Sequence, residues 1–210
     1  MHNPRNNKLI VLASASPRRK KLLEQIGLKF IQSPSDVDES IADGLNPVET
    51  VTNLASLKSS KVASRFQNAL IIAADTIVVY KNTILGKPVD KDDAVRILKT
   101  LSGNTHLVIT GVSLRLTDEN GRIYSSCDFN EQTKVTFAAL TQQEIEDYIA
   151  TGSPFDKAGA YGIQDDWGSV FVSSIEGDYY NVVGFPLHSF YQELKIFAPD
   201  FLPIPTIHHA

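Results

Sequence analysis

Residues 69–80 read Ala-Leu-Ile-Ile-Ala-Ala-Asp-Thr-Ile-Val-Val-Tyr, and this run decides the fold. It is almost wholly apolar and rich in β-branched side chains, without the polar alternation of a strand that faces water on one side. A strand covered on both faces carries that signature. Asp75 interrupts it. A carboxylate in such a segment is costly unless it is paired, hydrogen-bonded or bound to metal. A structural Asp capping a neighbouring turn would account for it. We take the functional reading, because ionisable groups buried in sheets gather at functional sites.

Working outward, Lys8 to Ala13 reads as a short buried strand. Ser16 is an N-cap with Pro17 at the first helical position; Leu22, Leu23 and Ile26 form the apolar stripe and Gly27 the stop. Phe30-Ile31-Gln32 predicts a second strand, followed by an acidic loop, 33–45. Asn46-Pro47-Val48-Glu49 opens a helix that runs to about Arg65. Past the central strand, Lys81-Asn82 turns the chain back into Thr83-Ile84-Leu85. A helix follows from Asp90 to Leu101, closed by Ser102-Gly103. Two long strands, about Thr105–Leu116 and Ile123–Phe137, meet at Asp118-Glu119-Asn120-Gly121, where Asn-Gly signals a hairpin. Thr141-Gln142-Gln143-Glu144 is a capping box for a helix to Thr151. A glycine-rich loop then reaches Gly168, a strand covers Ser169–Ile175, and a last helix runs from about Pro186 to Phe197. Helices alternate with strands early and a long hairpin intrudes, so the expectation is an α/β fold with a mixed sheet. No linker or repeat divides residues 1–210, which read as one domain with two lobes and disorder-prone ends at about 1–7 and 203–210.

The 210 residues are 42% hydrophobic and 21% charged, which suits a globular domain and excludes a disordered chain. Lys and Arg total 20 against 24 Asp and Glu, a net charge of −4. That balance argues against a binder of long nucleic acids, which carries a basic face. Cys127 is the single cysteine, so no intrachain disulfide forms. Residues 1–7 lack the apolar core of a signal peptide, and no apolar run reaches a membrane span. The expectation is a cytoplasmic protein with no membrane association.

Several segments resist a purely structural reading. Ser14-Ala15-Ser16-Pro17-Arg18-Arg19 leaves a strand and enters a helix N-terminus, a place that favours anions. Two arginines in the first turn oppose the helix dipole, so Arg18 and Arg19 read as phosphate ligands rather than solvated side chains. Asp36-Val37-Asp38-Glu39 matters only as an oxygen source for a hard cation beside Asp75. In Phe155-Asp156-Lys157-Ala158-Gly159-Ala160-Tyr161-Gly162-Ile163-Gln164, small residues around Lys157 let backbone approach a ligand closely. Lys58 and Lys87 complete a candidate cationic set, although solvation is the commoner fate of any single lysine.

Taken together, these blocks resemble the Maf family of nucleoside triphosphate pyrophosphatases. The similarity runs through Leu12–Arg19, Asp38-Glu39, Leu54–Lys58, Ala74-Asp75-Thr76, Gly86-Lys87-Pro88, Leu101–His106, Thr110-Gly111-Val112, Asp156–Gln164 and Gly177–Pro186. The resemblance implies an elongated mixed sheet flanked by helices, in two lobes with a deep cleft, akin to the inosine-triphosphatase fold. It also implies a homodimer and metal-dependent hydrolysis of a nucleoside triphosphate to the monophosphate and pyrophosphate. Arg18 directly after Ser16-Pro17 is similar to the dTTP/UTP-directed subfamily. By motif position Asp75 matches the proton acceptor, and Arg18, Thr76 and Gln164 match positions tied to substrate choice. The family commonly continues Gly-Ile-Gln-Gly, whereas Gln164 here is followed by Asp165-Asp166-Trp167.

The chemistry assembles from the same residues. Attack of water at the α-phosphorus needs a base or a metal to make the nucleophile, and positive charge on the departing pyrophosphate. Asp75 and Glu39 supply the first, holding Mg2+ or Mn2+ through oxygen ligands. Arg18, Arg19, Lys58 and Lys87 supply the second, with Ser14, Ser16 and Lys157 as further substrate contacts. Gln164, read as a buried amide, pairs with a carbonyl and an N–H on one base edge. The rival expectation is a nucleotide-binding regulator of cell division or septum formation without turnover.

Overall fold

The computed structural model describes residues 8–38, 45–164 and 166–203. In chain order the elements are β1 (Leu9–Leu12), α1 (Pro17–Gln25), β2 (Ile31–Gln32), α2 (Pro47–Ala63), β3 (Ala69–Tyr80), β4 (Thr83–Leu85) and α3 (Lys91–Leu101). Then come β5 (Thr105–Thr117), β6 (Ile123–Phe137), α4 (Gln142–Ala150), β7 (Val172–Glu176), α5 (Tyr179–Val183) and α6 (Leu187–Phe197). The sheet runs β2-β1-β3-β5-β6-β7, with β4 also paired to β3. It is mixed, as expected. β1 lies parallel to β2 and to β3, with Val11 opposite Ile71, whereas β4 on β3 and β7 on β6 are antiparallel.

The chain forms two compact units, and the boundary falls inside β3, between Asp75 and Thr76. One unit holds 1–75, 111–130 and 184–210; the other holds 76–110 and 131–183. In the first, Ala69, Ile71 and Ala73 pack with Val11, Ala13, Val62 and Ala63. The alternate residues Leu70, Ile72 and Ala74 are buried as well, so β3 is covered on both faces as its composition demands. α2 begins with a complete capping box, Asn46 accepting from Glu49 N while the Glu49 carboxylate accepts from Asn46 N. Its first turns lie so close to the sheet that a Cβ at Gly111 would sit 2.6 Å from Val51 O. A glycine is required there by contact alone.

The second unit is built around edge-to-face rings: His106 on Phe137 and Tyr161, Phe137 on Phe171, and Phe171 on Tyr148. His106 is buried, with Nε2 2.8 Å from the Tyr161 hydroxyl. Its Nδ1 has no hydrogen-bond partner among the described residues. Burial pushes its pKa down to about 4. Between pH 4 and pH 6.5 the unfolded chain therefore binds the proton that the folded chain refuses, so stability rises with pH. The contribution is complete above about pH 6.5 and disappears by about pH 4, a change on the order of 3 kcal/mol. Thermal melts across this window should show that slope, and His106→Gln, which cannot titrate, should flatten it. Equal slopes in the two proteins would refute the assignment.

Three readings need correction. The segment before the last helix, expected as a loop, contains the five-residue α5 between Gly177 and Gly184, both with positive φ. Five residues are too few for a periodic pattern to register. The glycine-rich loop is wound into 3-10 turns at Ser153–Asp156, Ala158–Ala160 and Asp166–Phe171, so β7 begins at Val172 rather than Ser169. The crowding of Tyr179, Tyr180, Phe185, Phe190 and Tyr191 in the C-terminal fifth of the sequence suggests a face for a second subunit, but Phe185 and Phe190 are fully buried, with ring centroids 5.0 Å apart, while Tyr179 and Tyr191 are exposed.

Candidate active site

α2 turns its apolar stripe onto the sheet, and Lys58 occupies a stripe position with Val51, Ala55 and Val62. A lysine there must find a counter-charge. It finds Asp75: Lys58 Nζ donates to Asp75 Oδ1 at 2.5 Å, with side-chain exposures of 8% and 13%. Desolvated pairs of this kind persist only with tight geometry. Asp75 and Thr76 are also the only two consecutive half-buried positions in β3. The strand therefore opens at the pair of residues that the sequence singles out.

Contacts on either side of Lys58 fix α2 in register. Ser59 Oγ lies 2.6 Å from Ser113 Oγ. Arg115 donates to Ser56 Oγ at 2.6 Å and grips Asp128 with two bonds, at 2.7 and 2.9 Å. Ser56, Ser59, Ser113, Arg115 and Asp128 were not found by sequence reasoning. The signal was present in Val112-Ser113-Leu114-Arg115-Leu116, a charge inside an apolar strand, the same anomaly that exposes Asp75.

At the N-terminus of α1, Ser16 Oγ accepts from Arg19 N at 3.4 Å, the expected cap. Ser14 is buried, and its Oγ accepts from Ser16 N and from Arg19 Nη1. Arg19 Nε donates to Gly184 O at 3.0 Å. Two donors of Arg19 thus brace this loop, one on Ser14 and one on Gly184, and Arg18 beside it is half-buried.

In the second unit Thr76 Oγ1 lies 2.9 Å from Thr110 Oγ1. Lys87 is exposed, and the turn that carries it is tied down by Gly159 N donating to Gly86 O at 3.0 Å. Gly159 has positive φ, and a Cβ on it would come within 2.7 Å of Val78 Cγ2, so the loop lies against β3. Two expectations change. Lys157 is buried, and its ammonium donates to Ser153 O, Ser153 Oγ and Asp156 Oδ1, which matches all three of its protons with partners inside its own loop. Gln164 is exposed rather than buried, because Ile163 beside it takes the inward position.

Glu39, expected as metal ligand and catalytic carboxylate, lies outside the described residues, as does Asp165. Among the described residues no group of three or more His, Cys, Asp and Glu side chains converges as a metal cluster. Cys127 is no nucleophile: burial and the nearby Glu193 push its thiol up to about 11. Among the described residues no helix is long and apolar enough to cross a membrane.

A family model described as "Maf-like protein" matches residues 9–197. A dTTP/UTP pyrophosphatase of Agathobacter rectalis is 46% identical over 204 residues, covering 91% of this chain and 98% of that protein. Another from a Geobacillus species is 48% identical, covering 90% of this chain and 97% of that protein. One from Bacillus cereus is 46% identical, covering 91% and 96%. Among solved structures, the Staphylococcus aureus Ham1 protein aligns at a TM-score of 0.41 and 18% identity, over 62% of this chain and 72% of that one, a likeness too slight to build on.

Proposed function

The chain belongs to the Maf family, and from that premise we propose that it hydrolyses dTTP and UTP to the monophosphate and pyrophosphate. The observation that carries the reading is the Lys58–Asp75 pair at the opening in β3. Asp75 receives the proton of the water that attacks the α-phosphorus. Lys58 holds the carboxylate in one orientation and keeps a positive charge beside it as the proton arrives. The bond from the α-phosphorus to the bridging oxygen breaks, and the electron pair leaves with pyrophosphate. By motif match, Arg18 and Lys87 carry the charge of the phosphates, and Thr76 and Gln164 choose the base.

The carboxylate donors suit a hard divalent ion such as Mg2+ or Mn2+, which is held by one or two carboxylates and takes its other ligands from water and phosphate oxygens. Asp75 and Glu39 would hold it, and when bound it would polarise the phosphoryl oxygen and neutralise developing charge. The protein acts in the cytoplasm as a homodimer, to which Tyr179 and Tyr191 offer exposed rings. Chromatography of the products tests the reaction. Thymidine or uridine monophosphate with pyrophosphate is the expected pair, and a nucleoside diphosphate with orthophosphate would overturn attack at the α-phosphorus. Binding without turnover would favour a regulatory role instead.

A further inference from the structure

Arg115 has no part in the chemistry above, yet it is a buried charge set between Leu114 and Leu116 in β5. Its Nη1 donates to Leu114 O at 3.0 Å and to Asp128 Oδ1 at 2.7 Å. Its Nη2 donates to Asp128 Oδ2 at 2.9 Å and to Ser56 Oγ, on α2, at 2.6 Å. Stability does not account for such a pair, because replacing a buried ion pair by apolar side chains of similar volume is often neutral or stabilising. What the pair supplies is direction. Two bonds to one carboxylate fix the plane of the guanidinium, and that plane aims the other Nη2 proton at Ser56.

Ser113, two residues earlier on the same face of β5, makes a second attachment to α2. Ser59 Oγ donates to Ser56 O at 2.9 Å and lies 2.6 Å from Ser113 Oγ, with both serines fully buried. A carbonyl can only accept and a serine hydroxyl has one proton, so the short bond carries the proton of Ser113. β5 thus gives donors at 113 and 115, and α2 offers acceptors at 59 and 56, neighbours on the helix surface. A helix held at two such points does not roll freely about its axis. Lys58 lies between them in sequence and reaches β3, the strand beside β5 in the sheet, where it meets Asp75 at 2.5 Å. Its ammonium ends a four-carbon stem, so any roll of α2 moves the charge farther than the backbone.

We propose that Arg115, with Asp128 behind it, is a positioning residue for the hydrolysis: through Ser56 it sets the roll of α2, and so the place of the Lys58 ammonium on Asp75. The inference rests on the reading of Asp75 as acceptor of the proton of the attacking water, and it deepens that reading. A misplacement of about 1 Å at a reacting centre can cost on the order of a hundredfold in rate. Substrate is held by other groups, so the loss belongs in kcat rather than in KM.

The test replaces the ion pair as a whole, Arg115→Met with Asp128→Leu, so that no charge is left buried alone. The urea midpoint should hold or rise. With dTTP as substrate, KM should stay and kcat per folded molecule should fall by about tenfold or more. Ser56→Ala removes the acceptor alone and should bring a loss of the same kind. In the Ser56→Ala protein the pair replacement should then cost no more than about a further twofold, because the two changes break one connection. Losses that multiply in full overturn the route through Ser56. A pair that only braced the fold would lower the midpoint and spare kcat per folded molecule, and that result also overturns the proposal. Should the pair replacement not fold, Ser56→Ala carries the test, and a folded Ser56→Ala protein with wild-type kcat overturns it. A wild type that releases no pyrophosphate from dTTP or UTP overturns the reading of Asp75, and the inference with it.

Discussion

Asp75→Asn is expected to lower kcat by at least about a hundredfold while nucleotide binding persists. The substitution keeps the shape of the side chain and the neighbour Lys58, 2.5 Å away, but removes charge and basicity. If Asp75 accepts the proton of the attacking water, or holds the metal ion, the amide can do neither. Binding relies on groups that the change leaves in place, so KM should move far less than kcat. The buried ammonium of Lys58 loses its counter-charge, and a parallel melting curve separates that stability cost from the catalytic one. A folded variant with near wild-type turnover would move the role of base to Glu39 or another carboxylate.

Gly111→Ala is expected to destabilise the protein by about 3 kcal/mol or more, through overpacking that cannot relax. The new methyl would meet Val51 O at 2.6 Å, Val51 C at 2.7 Å and Thr52 Cα at 2.9 Å. All three are backbone atoms of α2, so no rotamer change clears the way and the helix must lift from β5. Lys58 rides on the same helix, and its bond to Asp75 should loosen with the shift. Activity should therefore fall together with the urea midpoint. Gly86→Ala is the control: its Cβ meets nothing within 4 Å, and stability should change by less than about 1 kcal/mol. A Gly111→Ala protein with an unchanged urea midpoint would show that α2 does not press on the strand.

The two experiments probe features that were legible to different degrees. Asp75 was visible as a lone charge in an apolar run, and the capping boxes of Asn46 and Thr141 and the stop at Gly27 announced their helices. The closeness at Gly111 was invisible, since a glycine in a strand has several explanations and only the neighbour distinguishes them.

The sequence by itself determined the order of the long elements, the burial of both faces of β3, the mixed sheet and the prominence of Asp75. These follow from signals confined to a few residues: hydrophobic period, caps and turns. Only the tertiary structure decided what each functional group meets. Asp75 takes Lys58 from seventeen positions earlier, Arg115 joins Ser56 and Asp128 from two other elements, and Thr110 reaches a carbonyl seventy-one positions on. It also engaged Lys157 within its own loop and turned Gln164 outward. The physical reason is that a lysine, a glutamine or a threonine is chemically complete in isolation. Which donor pairs with which acceptor is fixed by strand register and helix packing, and those are set by contacts between residues far apart in the chain.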